Sequence, residues 1–290
     1  MTYHVPVLLK EVLAPLQPHA GGIYVDGTLG GAGHAAEILR ASAPTGRLVG
    51  LDWDGDAIAA AGESLREFGS RVELVRENFA ELEAVLMTLG ITAADGVVLD
   101  LGVSSHQFDE PSRGFSFQSD GPLDMRMNRE RGRSAQDLLN TAEAVELADI
   151  FFNYGEERRA RVIARNIVHA REQGERFATT SSLARLCGPR QGRIHPATRV
   201  FQALRIAVND ELENLKRGLA AAVRVLRPGG RLVVISFHSL EDRIVKRYFL
   251  AQKEAGTVRI MTKKPLVATA EEVAANPRAR SAKLRVAEKI

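Results

Sequence analysis

Apolar positions along the chain change period several times, and each change marks an element. Residues 23–26, 47–52, 72–76 and 96–101 are short β-branched runs of strand length. Between them, residues 34–43, 54–68 and 80–89 space their apolar side chains as helices do. Val7, Leu8, Val12 and Pro15 suggest a further short amphipathic helix ahead of the first strand. Alternation of this kind predicts a mostly parallel α/β sheet covered by helices, which receives ligands at the carboxyl ends of its strands. Asp26, Asp52, Asn78, Phe79 and Asp100 all fall at such ends.

The rhythm breaks after residue 100. Residues 101–133 carry glycines, prolines and many charges without a sustained period, which is long for an inert connection and points to function. Helical spacing returns at 134–140, 142–152, 156–171 and 181–186, and no strand pattern appears before 231. An all-helical domain, residues 109–204, is thus expected inside an α/β domain made of residues 1–108 and 205–290. His195-Pro196 opens another helix, and residues 211–226 form one stopped by Arg227-Pro228-Gly229-Gly230. The sheet resumes at 231–236. Ser239 reads as the capping start of a helix to residue 255 with Gly256 as its stop, and residues 281–287 alternate like a last strand.

Composition narrows the setting. With 290 residues and 45% hydrophobic content there is material for a large packed core. The single cysteine, Cys187, excludes an internal disulfide and suits a reducing compartment as a small buried residue. The start Met1-Thr2-Tyr3-His4-Val5-Pro6 lacks a basic leader, and no apolar run approaches membrane-spanning length, so a cytoplasmic protein with no membrane partner is expected. The seven histidines are scattered and no metal-ligand cluster is visible, so no metal is required. Net charge is +3, but residues 259–289 hold eight Lys or Arg against three Glu, a basic end suited to an acidic partner. Between Lys10 and Lys216 every cation is Arg. The helical region's Arg-bearing face therefore suits RNA, as well as an ordinary solvated surface.

The candidate chemistry centres on Asp26-Gly27-Thr28-Leu29-Gly30-Gly31-Ala32-Gly33-His34, a strand, glycine turn and helix start. The glycines let the backbone turn sharply beside a ligand, and the helix N–H groups face the same crevice. Asp52, at the end of the second strand, stands where a carboxylate accepts hydrogen bonds from a ribose diol. The spacing is neither G-x-G-x-x-G nor a P-loop, and Asp26 would repel phosphate. An adenosine ligand with a cationic end fits better, and S-adenosylmethionine is one.

Several stretches in order resemble the RsmH (MraW) methyltransferases: His4-Val5-Pro6-Val7-Leu8-Leu9, residues 26–34, Asp100-Leu101-Gly102-Val103-Ser104-Ser105 and Arg113-Gly114-Phe115-Ser116-Phe117. Gly121-Pro122-Leu123-Asp124-Met125-Arg126-Met127, Tyr154-Gly155-Glu156-Glu157-Arg158, residues 195–205, 235–242 and 276–281 continue the match. The resemblance implies a class I S-adenosylmethionine-dependent methyltransferase, Rossmann-like with helices on both faces of the sheet, and a helical substrate domain inserted after the fourth strand. It implies transfer to the exocyclic N4 amine of a cytidine in 16S rRNA near the decoding site, within the small ribosomal subunit, with no DNA partner. Carried over residue by residue, the cofactor contacts are Ala32, Gly33, His34, Asp52, Phe79, Asp100 and Gln107. Ala32 stands where the family often has Gly, a change tolerated if φ is negative there, and the stretch after Tyr248 is short.

A cytosine amine has its lone pair delocalised into the ring, so a site must align it and remove a proton. Amino methyltransferases of DNA commonly place a Pro-Pro turn at the fourth strand's end, and no proline pair occurs here. Asp100 and backbone carbonyls are the expected acceptors, with Ser104 and Ser105 shaping the turn. Ser236, His238 and Glu241 lie at another strand's end, where His238 is a candidate proton acceptor. Two other readings are a nucleotide-sensing RNA-binding assembly factor without turnover and a small-molecule methyltransferase.

Overall fold

The computed structural model describes residues 6–188 and 195–290. His4, Val5, Arg190 and Arg193 therefore lie outside the described residues. The chain divides into two compact units, Met1–Gly102 with Leu212–Ile290, and Val103–Glu211.

The first unit runs α1 (Leu9–Leu16), β1 (Ile23–Asp26), α2 (Gly33–Ala41), β2 (Arg47–Asp52), α3 (Gly55–Ser64), β3 (Val72–Arg76), α4 (Leu82–Thr88) and β4 (Ala94–Asp100). After the interruption, with the following helix beginning at the unit boundary, come Glu211–Val225, β5 (Leu226–Ser236), Ser239–Glu254, β6 (Val258–Ile260), Ala270–Ala275 and β7 (Lys283–Lys289). The seven strands lie in the order β3-β2-β1-β4-β5-β7-β6. Strands β1 to β5 pair in parallel, and β7 runs antiparallel to both β5 and β6. This is the Rossmann-like class I arrangement, whose strand order reverses between β1 and β4. The reversal opens a crevice outside the strands' carboxyl ends.

Central strands are buried on both faces, which is why their sequences read as unbroken apolar runs. Val97, Val98 and Leu99 are all fully buried. One face carries Val25, Val97, Leu99 and Val234 against Leu82, Leu86, Leu215, Leu219, Val245 and Phe249. The other packs Tyr24, Leu48, Val98 and Val233 against Val12, Ile38, Leu39 and Ala61. β5 starts earlier than 231 because Arg227-Pro228-Gly229-Gly230 continues as strand, with a register irregularity opposite Ala94 and Gly96 and with Gly229 at φ +79°.

The second unit holds α5 (Ser105–Asp109), α6 (Ala135–Thr141), α7 (Ala144–Gly155), α8 (Ala160–Glu172), α9 (Thr180–Leu186) and α10 (Pro196–Asn209). We number the later helices accordingly: α11 is Glu211–Val225, α12 is Ser239–Glu254 and α13 is Ala270–Ala275. Phe151, Ile163, Ile167, Phe177, Leu183 and Leu204 form its core. Side-chain hydrogen bonds, those of Arg113 and Asn209 among them, help to order the aperiodic stretch. Buried Arg113 donates from Nη2 to the carbonyls of Arg126 and Met127, at 3.1 and 3.0 Å. Asn209 donates to Met125 O at 2.7 Å and accepts from Met127 N at 2.8 Å. The division falls at 102/103 and 211/212 rather than 108/109 and 204/205. Ser104 already caps α5 at one end, and α10 at the other runs to Asn209 before Asp210 turns left-handed at φ 51°.

Candidate functional site

The turn after β1 is built around carboxylates. Asp26 is buried, and its Oδ1 accepts the Thr28 N–H at 3.1 Å. Burial pushes its carboxyl up to about 7, against a partial pull down from that hydrogen bond. Thr28 Oγ1 accepts the backbone N–H of Asp100 at 2.6 Å, tying the end of β4 to the turn. Gly27 is required for proximity, since a Cβ there would stand 2.6 Å from Leu99 Cδ2. Gly31 has open space where a side chain would be, leaving the turn's backbone approachable.

Asp52 ends β2 with both carboxylate oxygens engaged. Its Oδ2 accepts the Gly30 N–H at 2.8 Å and its Oδ1 that of Asp54 at 2.9 Å, so it holds the glycine turn in shape. Burial raises its carboxyl to about 6 despite those bonds. Ala32 departs from expectation. It sits at φ 61°, in the left-handed region, as the residue before α2, and its methyl is buried beside Leu29 and Ala35. Left-handed backbone costs an alanine roughly 1 kcal/mol, which burying a methyl offsets. Gly33 gives room to the Pro6 ring, whose Cδ would lie 3.1 Å from a Cβ. Buried His34 places Nε2 2.9 Å from Val7 O and Nδ1 3.7 Å from Asp100 Oδ2.

Asp100 ends β4 with Oδ1 buried and without a hydrogen-bond partner. Burial, then the nearby charges of Asp26 and Glu241, raise its carboxyl well above the usual range. An orphaned acceptor among acids is a site for a donor, and for a cation before an anion. Phe79, half-buried after β3, lies on α11 at Gly218, where a Cβ would stand 2.3 Å from its Cδ2. Sequence reasoning passed over Gly218 and Thr28. A glycine inside a long helix was the available signal for the first.

At the carboxyl end of β5, His238 rather than Ser239 caps α12. His238 is extended, at φ −135° and ψ 167°, and its Nδ1 takes the Glu241 N–H at 3.4 Å. Its Nε2 lies 3.1 Å from Glu241 Oε1, and Glu241 Oε2 accepts the N–H groups of Phe237 and His238. Ser236 Oγ donates to Lys283 O at 3.3 Å. In the second unit, Ser104 and Gln107 form a reciprocal capping box for α5: Gln107 N donates to Ser104 Oγ at 3.2 Å, and Ser104 N to Gln107 Oε1 at 3.0 Å. Ser105 opens the helix. The structure thus gathers Ala32, Gly33, His34, Asp52, Phe79, Asp100 and His238 within the first unit, and places Ser104, Ser105 and Gln107 in the second.

Among known proteins, the MraW methylase family profile matches residues 1–290. A Geotalea uraniireducens protein named ribosomal RNA small subunit methyltransferase H is 53% identical over 309 residues, 99% of either chain. The Geobacter sulfurreducens protein of that name is 53% identical over 311 residues, covering both chains completely. A solved structure described as an rRNA-methylase from Clostridium thermocellum superposes with a TM-score of 0.50 at 12% identity, over 99% of this chain and 100% of that one. At that identity the likeness concerns the fold alone. No helix among the described residues is long and apolar enough to cross a membrane.

Proposed function

Because this chain belongs to the MraW methylase family, we propose that it methylates the exocyclic N4 amine of one cytidine in the 16S rRNA of the small ribosomal subunit, near the decoding site and in the cytoplasm. The methyl donor is S-adenosylmethionine, which when bound supplies an electrophilic methyl on a sulfonium. The residues present fit such a ligand: an open glycine turn, three raised acids and an orphaned acceptor suit an adenosine with a cationic end. Ala32, Gly33 and His34 hold it at the turn, Asp52 at the ribose, Phe79 beside the adenine, and Asp100 at the amino-acid end.

The observation that carries the reading is the unpartnered Oδ1 of Asp100. A carboxylate oxygen there accepts a hydrogen bond from the cytosine amine and draws electron density back onto nitrogen as the new bond forms. Ser104 shapes the turn after β4 through the α5 cap it shares with Gln107, and Ser105 begins the helix there. The surplus proton leaves to His238, whose Nδ1 must let go of the Glu241 N–H to take it. The helical unit selects the RNA, and the Arg side chains at the start of α8 and along it meet its phosphates.

The test is to incubate the protein with methyl-labelled cofactor and, in parallel, free 16S rRNA, small subunits or a metabolite pool, then digest to nucleosides. Label recovered as N4-methylcytidine from either RNA arm supports the proposal. Binding without any transfer makes the protein an assembly factor, and label in the metabolite arm alone makes it a small-molecule enzyme.

A further inference from the structure

The peptide group joining Val7 to Leu8 is held at both edges. Its N–H donates to Glu272 Oε1 of α13 at 2.7 Å, and its carbonyl lies 2.9 Å from His34 Nε2. A carbonyl can only accept, so Nε2 must carry the imidazole proton and Nδ1 is left as the atom 3.7 Å from Asp100 Oδ2. We infer that Glu272 is a positioning residue for methyl transfer, acting through this one peptide group to fix the tautomer and placement of His34 beside Asp100.

Physical argument and local geometry both support it. A peptide group is planar and stiff, so a partner gripping the N–H fixes where the C=O points. A carboxylate on the N–H also polarises the carbonyl, which strengthens its hold on the imidazole. Finally, the grip has a strain to hold: Leu8 is fully buried at φ 54°, a left-handed conformation unfavourable for a branched side chain. Pro6 braces the same strap from the other side, its ring packed over Gly33 one residue before His34. Without Glu272 the peptide has a route to turn over, and a turned peptide offers the imidazole an N–H in place of a carbonyl.

The inference rests on the role given above to Asp100, and the experiment separates the two. The protein is labelled with nitrogen-15 histidine, and the His34 ring signals are compared in the parent, Glu272→Ala and Glu272→Gln. His34→Gln supplies the signal assignment. The parent is expected to show one Nε2-protonated tautomer, Glu272→Ala a mixture of tautomers, and Glu272→Gln, which keeps an acceptor oxygen, the parent pattern. Single-turnover methyl transfer at saturating cofactor should fall about tenfold in Glu272→Ala and recover to within about threefold in Glu272→Gln, while cofactor affinity changes less than the rate. Should Glu272→Ala fail to fold, Glu272→Asp, one methylene short, reads the same signals. Parent-like His34 signals in the Ala or Asp variant overturn the inference. A mixed tautomer with the parent's rate overturns instead the part assigned to Asp100.

Discussion

The ring of Phe79 lies so close on Gly218 of α11 that a methyl group there would stand 2.3 Å from Cδ2 and 2.5 Å from Cε2. The glycine is therefore what allows an aromatic side chain to lie flush between helix and crevice. Gly218→Ala should gain helix propensity of about 1 kcal/mol yet displace the ring. We expect cofactor affinity to fall about tenfold, roughly 1.4 kcal/mol, with helical content intact. Calorimetric titration of the variant checks this, and unchanged affinity would remove Phe79 from the adenine site.

Asp100→Asn separates cofactor binding from catalysis. As an acceptor for the amine, Asp100 acts more strongly in the transition state than before it, so the rate at saturating cofactor and RNA should drop by more than tenfold. A single-turnover rate within about threefold of the parent, under about 0.7 kcal/mol, sinks the catalytic role.

Between pH 6 and 7 the acids at the crevice are partly protonated, Asp26 titrating at about 7 and Asp52 at about 6. A cationic ligand favours their ionised forms, so its binding should release protons and its affinity should rise with pH until about 7. Titration calorimetry at pH 6.5 in two buffers of different ionisation enthalpy measures the release. Proton uptake, or none, would contradict a cation in this place.

The same burial sets a stability profile. Asp26 holds its proton more tightly when folded, at about 7, than at the ordinary 3.8. Its raised value therefore favours the fold below about pH 4, and that advantage is lost as pH rises to about 7. Asp26→Asn does not titrate, so relative to the parent it should gain stability across that window, on the order of 1.4 kcal/mol per pKa unit as an upper bound. Denaturation midpoints at pH 4 and pH 8 read the difference, and a gain equal at both values would assign it to something other than the carboxyl.

Arg158, Arg159, Arg161 and Arg165 are exposed at and along α8, and among the described residues no carboxylate forms an ion pair with any of them. Replacing Arg158 with Arg159, or Arg161 with Arg165, by Ala should weaken RNA binding and flatten its salt dependence by about 0.7 to 0.9 per lost phosphate contact, leaving cofactor affinity alone. If the slope holds in every pair, the basic residues of the carboxyl-terminal region, such as Lys263 and Lys264, become the RNA contact.

Sheet and helices were legible because buried parallel strands advertise themselves as β-branched runs and the helices as amphipathic repeats. The three residues of β6 were too short to show a period. The ordering of residues 113–128 was hidden for another reason: Asn209 reaches Met125 from 84 positions away, and no local pattern records such a contact. The places of Asp52 at the end of β2 and of the glycine turn after β1 could be read from spacing. That Asp52 also fastens Gly30 could not, nor could the left-handed backbone of Ala32, because both depend on how the turn closes. The α12 cap was misplaced by one residue, since histidine is a less usual capping side chain than the serine beside it.

The peptide between Val7 and Leu8 meets Glu272 across 264 positions of sequence. Helices close their contacts within a turn, and neighbouring strands somewhat later, but a clamp of this span closes a far longer loop, at a greater entropic cost. The approach of His34 to Asp100, by contrast, involves no residue beyond β4. A chain that ends before α13 thus lacks the acceptor for the Leu8 N–H, whatever else of the crevice it has formed.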